Sequence, residues 1–157
     1  MHRVGFIVPR GFQLMSLAAL TAFEIVNLPP ADQRYDIHLL SEHGGPVRSS
    51  SGMMLETEAF GDPAFDTVIV GSITEMEMPP SDASVIAFVR EAAKASRRTA
   101  SICSGAFVLA EAGLLNGRRA TMHWAHAASF RIRFPDVKTE EDRIFINDGK
   151  IWTSAGM

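Results

Sequence analysis

The chain opens with a short continuous apolar run, Val4 to Val8, closed by Pro9. A run of this kind, without polar alternation, predicts a strand buried on both faces. From Phe12 to Val26 the pattern changes. Phe12, Met15, Ala19, Phe23 and Val26 recur at spacings of three and four, which predicts an amphipathic helix stopped near Asn27 and Pro29-Pro30. Tyr35 to Leu40 reads as a second strand, His43-Gly44-Gly45-Pro46 as a turn, and Val47 to Glu58 as a hairpin-like excursion through Gly52. Phe65 to Val70 gives the strongest strand signal and ends abruptly at Gly71-Ser72. Ser81 or Asp82 then caps a predicted helix to Ser96, with Val85, Phe88, Val89 and Ala92 on its inner face.

Beyond it, Thr99 to Ile102 is a short strand, and Ser104 to Ala112 is helical until Gly113 stops it. Arg118 to Met122 reads as a further strand, followed by a helix from Trp124 to Arg133. Arg143 to Ile146 and Lys150 to Thr153 flank Asn147-Asp148-Gly149, a hairpin signal. Strands alternating with helices predict an α/β domain over residues 1–157, with an open, largely parallel sheet covered on both faces.

Composition narrows the function classes. With 157 residues, 46% of them hydrophobic and 21% charged, the chain can bury a sizeable core and is not disordered. Eighteen acidic residues against fifteen basic ones give a net charge of −3. The basic runs are pairs, Arg97-Arg98 and Arg118-Arg119, so this segment lacks the electrostatic footprint of a DNA-binding surface. Its single cysteine excludes an internal disulfide and a metal cage built from cysteines. No apolar stretch approaches the roughly 18 residues of a membrane span. The apolar run before Pro9 is too short for a signal peptide, so a cytoplasmic location without membrane contact is expected.

Cys103 lies at a strand-to-helix junction, with Ser101 two residues before it and Gly105 two after. This is the spacing of a nucleophile elbow with cysteine in place of serine, because bulky neighbours would clash with the backbone of so tight a turn. At such a position helix N-terminal N–H groups favour the thiolate and lower its pKa. The N–H of Ser104 is one candidate oxyanion donor, and Gly71-Ser72 is placed to give a second. The alternative reading is a small buried residue. His123 falls at the carboxyl end of a predicted strand, where open α/β sheets place their sites, and is the candidate base. Its alternative is to open the next helix together with Trp124. His126 follows three residues later, but no carboxylate or second cysteine completes a metal site. Neither a metal nor a cofactor is expected.

The block from Ser101 to Ala110, with the block from Ala112 to Trp124, closely resembles one branch of the DJ-1/PfpI superfamily. That branch carries a class I glutamine amidotransferase-like domain and commonly forms the N-terminal part of AraC-type transcriptional regulators. Gly11-Phe12-Gln13-Leu14, Phe23-Glu24-Ile25 with Asn27, Val68 to Gly71 and Thr153 to Gly156 extend the likeness over nearly the whole chain. Isocyanide hydratases share much of the Cys103–Trp124 block. The resemblance implies a flavodoxin-like three-layer sandwich.

Hydratases and glyoxalase-like members place an acidic residue on the first helix, facing the cysteine. The resembling motif begins Gly-Phe-Gln-Leu-Leu-Asp; here it reads Gly11-Phe12-Gln13-Leu14-Met15-Ser16, so Ser16 stands in the acidic position. The chain also has no His-x-Glu pair to complete a Cys-His-Glu triad. Together these imply a ligand-sensing domain rather than an enzyme. A small polar or amide-bearing effector would sit in a cleft over Cys103, with Ser16, Gly71, Ser72, Ser104 and His123 around it. The alternatives are a cysteine-dependent hydratase or hydrolase of the isocyanide hydratase type and a redox sensor. The resemblance further implies a helix after the Ser154-Ala155-Gly156 turn, so the domain is expected to lack its last helix. Apolar sheet surface left uncovered by that helix is expected to be covered by a partner chain in a homodimer, or by segments absent here. The resemblance also implies DNA contact only through a C-terminal helix-turn-helix module that this chain does not contain.

Overall fold

The computed structural model describes residues 1–29 and 32–156; Pro30, half of the predicted helix stop, and Met157 lie outside them. In chain order the elements are β1 (His2–Ile7), α1 (Ala18–Val26), β2 (Tyr35–Ser41), β3 (His43–Arg48), β4 (Met54–Ala59) and β5 (Thr67–Val70). They continue with α2 (Ala83–Ala95), β6 (Arg98–Ile102), α3 (Ala106–Glu111), β7 (Arg119–Ala120), α4 (Ala127–Arg133), β8 (Lys138–Thr139), β9 (Phe145–Asp148) and β10 (Ile151–Ser154). The main sheet runs β3-β4-β2-β1-β5-β6-β10-β9. Among the described residues, only the hairpins at its two edges, β3–β4 and β9–β10, pair antiparallel within this sheet. This is the three-layer, largely parallel α/β arrangement expected from the alternating pattern.

The apolar runs became central strands because both sheet faces are covered there. Along β1, Val4 and Phe6 join one core with Leu20, while Ile7 joins the other with Phe88, Val89, Phe107 and Phe130. On β5, Ile69 faces the first core, Val68 and Val70 the second, and all four residues of the strand are buried. Helices α2, α3 and α4 contribute to the second core, whereas among the described helices it is α1, through Leu20 and Phe23, that packs on the first. Beside α1 that face stays open. Ala19, Ile69, Ala100, Ile102, Phe145, Trp152 and Ser154 line an apolar groove of about 310 Å³, with Phe145 60% and Trp152 38% exposed.

Several boundaries differ from the sequence reading. The predicted turn His43-Gly44-Gly45-Pro46 is part of β3. Positive φ at Gly44 and Gly45 keeps the strand irregular, and as an edge strand it tolerates Pro46. The predicted strand Arg118–Met122 shrinks to the two residues of β7, which pair with β8 outside the main sheet. Thr121 leaves the ladder because its N–H goes to Thr153 Oγ1 (2.9 Å) and its hydroxyl to Arg143 O (3.2 Å). Single turns of 3-10 helix precede α1, α3 and α4, at Leu14–Leu17, Cys103–Gly105 and Trp124–His126. Asp82 stands at the N-cap of α2 but makes no side-chain cap bond.

Candidate functional site around Cys103

Cys103 follows β6 at φ 54°, and among the described residues it is the one non-glycine residue with positive φ. A left-handed conformation costs an L-residue about 1–2 kcal/mol, so the neighbours must hold it there. Gly105 does so by its lack of a side chain. A Cβ at that position would stand 2.6 Å from Val70 O and 2.9 Å from Gly71 O, so only glycine lets the turn lie against the end of β5. Ser104 fastens the same junction, because its Oγ accepts the Ile73 N–H (3.0 Å) and donates to Ile73 O (3.1 Å). The strained junction expected from Ser101 and Gly105 is therefore present.

The sulfur is enclosed rather than open. Cys103 is 4% exposed, and Gly156, at φ 83°, lies so close that a Cβ there would be 3.0 Å from Cys103 Cβ and 3.4 Å from Sγ. The apolar groove lies along the sheet face and does not include Cys103. Burial pushes the Cys103 thiol up from its ordinary 9.0, and the Ser104 backbone N–H, hydrogen-bonded to the thiol, offsets this only in part. The lowered thiol pKa expected at a helix N-terminus is thus reversed. A six-residue helix behind a 3-10 turn is a weaker influence than removal of the sulfur from water.

The remaining predicted residues divide between this junction and its surroundings. Gly71 adjoins the turn, but its N–H is given to Ile7 O (3.0 Å), so it cannot serve as an oxyanion donor. Among the described residues the Ser72 N–H has no partner, which leaves it as the available donor on that strand end. Ser72 is tied to the chain after β1 twice: its carbonyl accepts the Gln13 N–H (3.0 Å) and its hydroxyl donates to Gln13 Oε1 (3.0 Å). Ser16 is fully buried, and its hydroxyl donates to Gln13 O at 2.7 Å. Gln13 therefore organises both serines. The sequence reading quoted it within a motif without giving it a role, and its spacing alone carries no signal of a contact with Ser72.

His123 is the N-cap of the Trp124–His126 turn, its Nδ1 accepting the Ala125 N–H at 3.2 Å. It makes no hydrogen bond to Cys103, and among the described residues no carboxylate is hydrogen-bonded to Cys103, Ser16 or His123. In the structure His123 thus opens the Trp124–His126 turn through Nδ1. His126 is buried edge-on to Phe107 (5.8 Å between centroids), with no partner for Nδ1. Burial, together with the neighbouring His123, lowers its pKa below the ordinary 6.5.

Residues 2–157 match the family model described as the DJ-1/PfpI family. The chain belongs to that family. It is 40% identical over 137 residues to an uncharacterized protein of the cpoL 5' region of Streptomyces lividans, covering 85% of this chain and 96% of that one. It is 35% identical to the HTH-type transcriptional regulator GlxA of Rhizobium meliloti, across 99% of this chain and 48% of the regulator. Identity to the isonitrile hydratase of Pseudomonas putida is 36%, across 99% of this chain and 65% of the hydratase. The chain thus spans nearly all of the first relative and about half of the regulator. Among solved structures, an AraC family transcriptional regulator from Pseudomonas putida superposes with a TM-score of 0.83 at 22% identity, covering 99% of this chain and 84% of that one. The fold of this DJ-1/PfpI domain is therefore shared with regulators of that class.

Proposed function

We propose that this DJ-1/PfpI chain is the ligand-sensing domain of an AraC-type transcriptional regulator. In this reading it holds a small polar or amide-bearing effector near Cys103, with the effector's carbonyl oxygen on the N–H of Ser72 and, in place of the thiol, on that of Ser104. The observation that carries it is the state of Ser16. In the position where the resemblance expects an acid stands a buried hydroxyl already given to Gln13 O. A hydroxyl cannot exchange a proton near neutral pH, so Cys103 has no acid partner there. The raised thiol and the capping role of His123 point the same way. The HTH-type regulators among the relatives support it further.

A second reading, a cysteine-dependent hydratase or hydrolase, is favoured by the likeness to an isonitrile hydratase and by the strained Cys103. It asks more of the site, because proton transfer would need a group other than Ser16.

In the sensor reading DNA is contacted only by a helix-turn-helix module C-terminal to this domain, which agrees with the absence of a basic tract here. The protein is cytoplasmic and homodimeric, and a last helix following Gly156 covers the groove beside α1. Burial of apolar surface is worth about 25 cal/mol per Å², so covering the groove contributes on the order of a few kcal/mol. The test is to compare residues 1–157 with a version extended by the native downstream sequence. The extended protein should be more stable by several kcal/mol, as measured by denaturant unfolding, and should bind its promoter DNA. An extended protein that gains no stability and binds no DNA would overturn the reading.

A further inference from the structure

A second cluster of titratable groups lies away from Cys103, where the edge hairpin joins the sheet. β2 is paired with β1 through six of its seven residues, from Tyr35 beside His2 to Leu40 beside Ile7. Its pairing with β4 is confined to Leu40 beside Glu58 and Ser41 beside Ala59. The turn end of the hairpin is tied separately, by the Gly11 N–H to Arg48 O at 2.9 Å. At the β2 end that short ladder, continued by the Phe60 N–H to Ser41 O at 2.9 Å, is supplemented by side chains. One tie is Ser41 Oγ to Thr57 Oγ1 at 2.6 Å, and the other is His38.

Both ring nitrogens of His38 face carboxylates. Nδ1 lies 3.0 Å from each oxygen of Glu58 on β4, and Nε2 lies 2.9 Å from Asp36 Oδ2 on β2. The His38 side chain is 18% exposed, and its ring stands edge-on to Phe65 at 5.6 Å. The other charges around it are Arg3 of β1, whose guanidinium lies over Phe65 at 4.5 Å, and Asp62, paired with Arg3 at 3.3 Å. Asp66 accepts the Arg3 N–H at 2.8 Å and faces His2 at 3.6 Å; Glu56 lies on the same face of β4 as Glu58. The near charges are thus two carboxylates in direct contact, with one cation behind an aromatic ring.

A neutral imidazole has one N–H and one lone pair, so it can satisfy only one of these carboxylates. The imidazolium satisfies both. We propose that Asp36, His38 and Glu58 form a protonation latch: the imidazolium fastens β4 to β2, and loss of its proton to water loosens that edge of the sheet. Burial by itself would lower the His38 pKa, but the hydrogen bonds and charges of Glu58 and Asp36 outweigh it and raise the value above 6.5. A raised folded-state pKa contributes stability that is complete below the unfolded value. That contribution is lost as pH rises through the folded value, so the latch opens on the alkaline side. It stands independently of the function proposed for Cys103.

The test is an NMR titration of the histidine rings in the whole chain, with amide exchange followed across Met54–Ala59. The His38 midpoint should lie above 6.5, and protection of β4, corrected for intrinsic exchange, should fall across that midpoint while protection of β1 holds. In Glu58→Gln, and separately in Asp36→Asn, the midpoint should move down and the pH dependence of β4 protection should shrink. Glu58 is 62% and Asp36 38% exposed, and both replacements keep the shape of the side chain, so folding should survive. A midpoint at or below 6.5, or β4 protection that tracks β1 at every pH, would overturn the proposal.

Discussion

Gly105→Ala should destabilise the domain by about 2–3 kcal/mol, although alanine is the better helix former. Gly105 has ordinary helical angles (φ −57°, ψ −19°), so the added methyl brings no backbone strain of its own. The cost is steric. The new Cβ would stand 2.6 Å from Val70 O and 2.9 Å from Gly71 O, and both oxygens belong to backbone at the end of a fully buried strand. No flexible side chain can move aside, so the Cys103 turn must lift away from β5 and stretch the Ser104–Ile73 bonds. For a chain of this length the loss corresponds to a Tm lower by about 5–10 °C. Thermal unfolding measures it, and a Tm unchanged within a degree would show that the turn does not press on β5.

Alkylation of Cys103 at pH 7 should be slower than that of a free thiol and should climb only in alkaline solution. The thiolate is the reacting species, and a thiol with the ordinary value of 9.0 is about 1% ionised at pH 7; burial holds Cys103 above that value. Gly156 adds a steric barrier because it packs directly on the sulfur. The two effects multiply, since one limits the thiolate fraction and the other limits access. Iodoacetamide kinetics from pH 6 to 10, followed by intact mass, separate them: ionisation sets the midpoint, and access sets the plateau. A rate at pH 7 above that of a free thiol would mean that the sulfur is activated, as the sequence pattern suggested before its burial was visible.

What the sequence conveyed and what it concealed follow from the range of the forces involved. Val4–Val8 and Phe65–Val70 were legible because a strand buried on both faces needs an unbroken apolar run. Cys103 was legible because its tight turn demands small residues at Ser101 and Gly105. The role of Gly71 was misread because its N–H is claimed by Ile7, a partner set by strand order rather than by local sequence. The thiol shift of Cys103 was misread in direction for a related reason: desolvation depends on Gly156, more than fifty residues downstream. Nothing in the local sequence singles out His38 within the predicted strand Tyr35 to Leu40. Its second carboxylate, Glu58, sits on β4 and meets it only because that strand returns to pair beside β2. The Gly44-Gly45-Pro46 turn signal was genuine local chemistry, but the edge of the sheet accommodated it.

The central claim is that the site around Cys103 senses rather than turns over its ligand. The most direct measurement is isocyanide hydration and glutamine hydrolysis by wild type, Cys103→Ala and Ser16→Asp under identical conditions. General acid–base assistance is worth about 10²–10⁴ in rate. With Ser16 donating to Gln13 O, wild type should therefore show no turnover that depends on Cys103, and Ser16→Asp should recover a small part of the hydratase rate. Robust hydration by wild type, abolished in Cys103→Ala, would contradict the account and make this chain a hydratase.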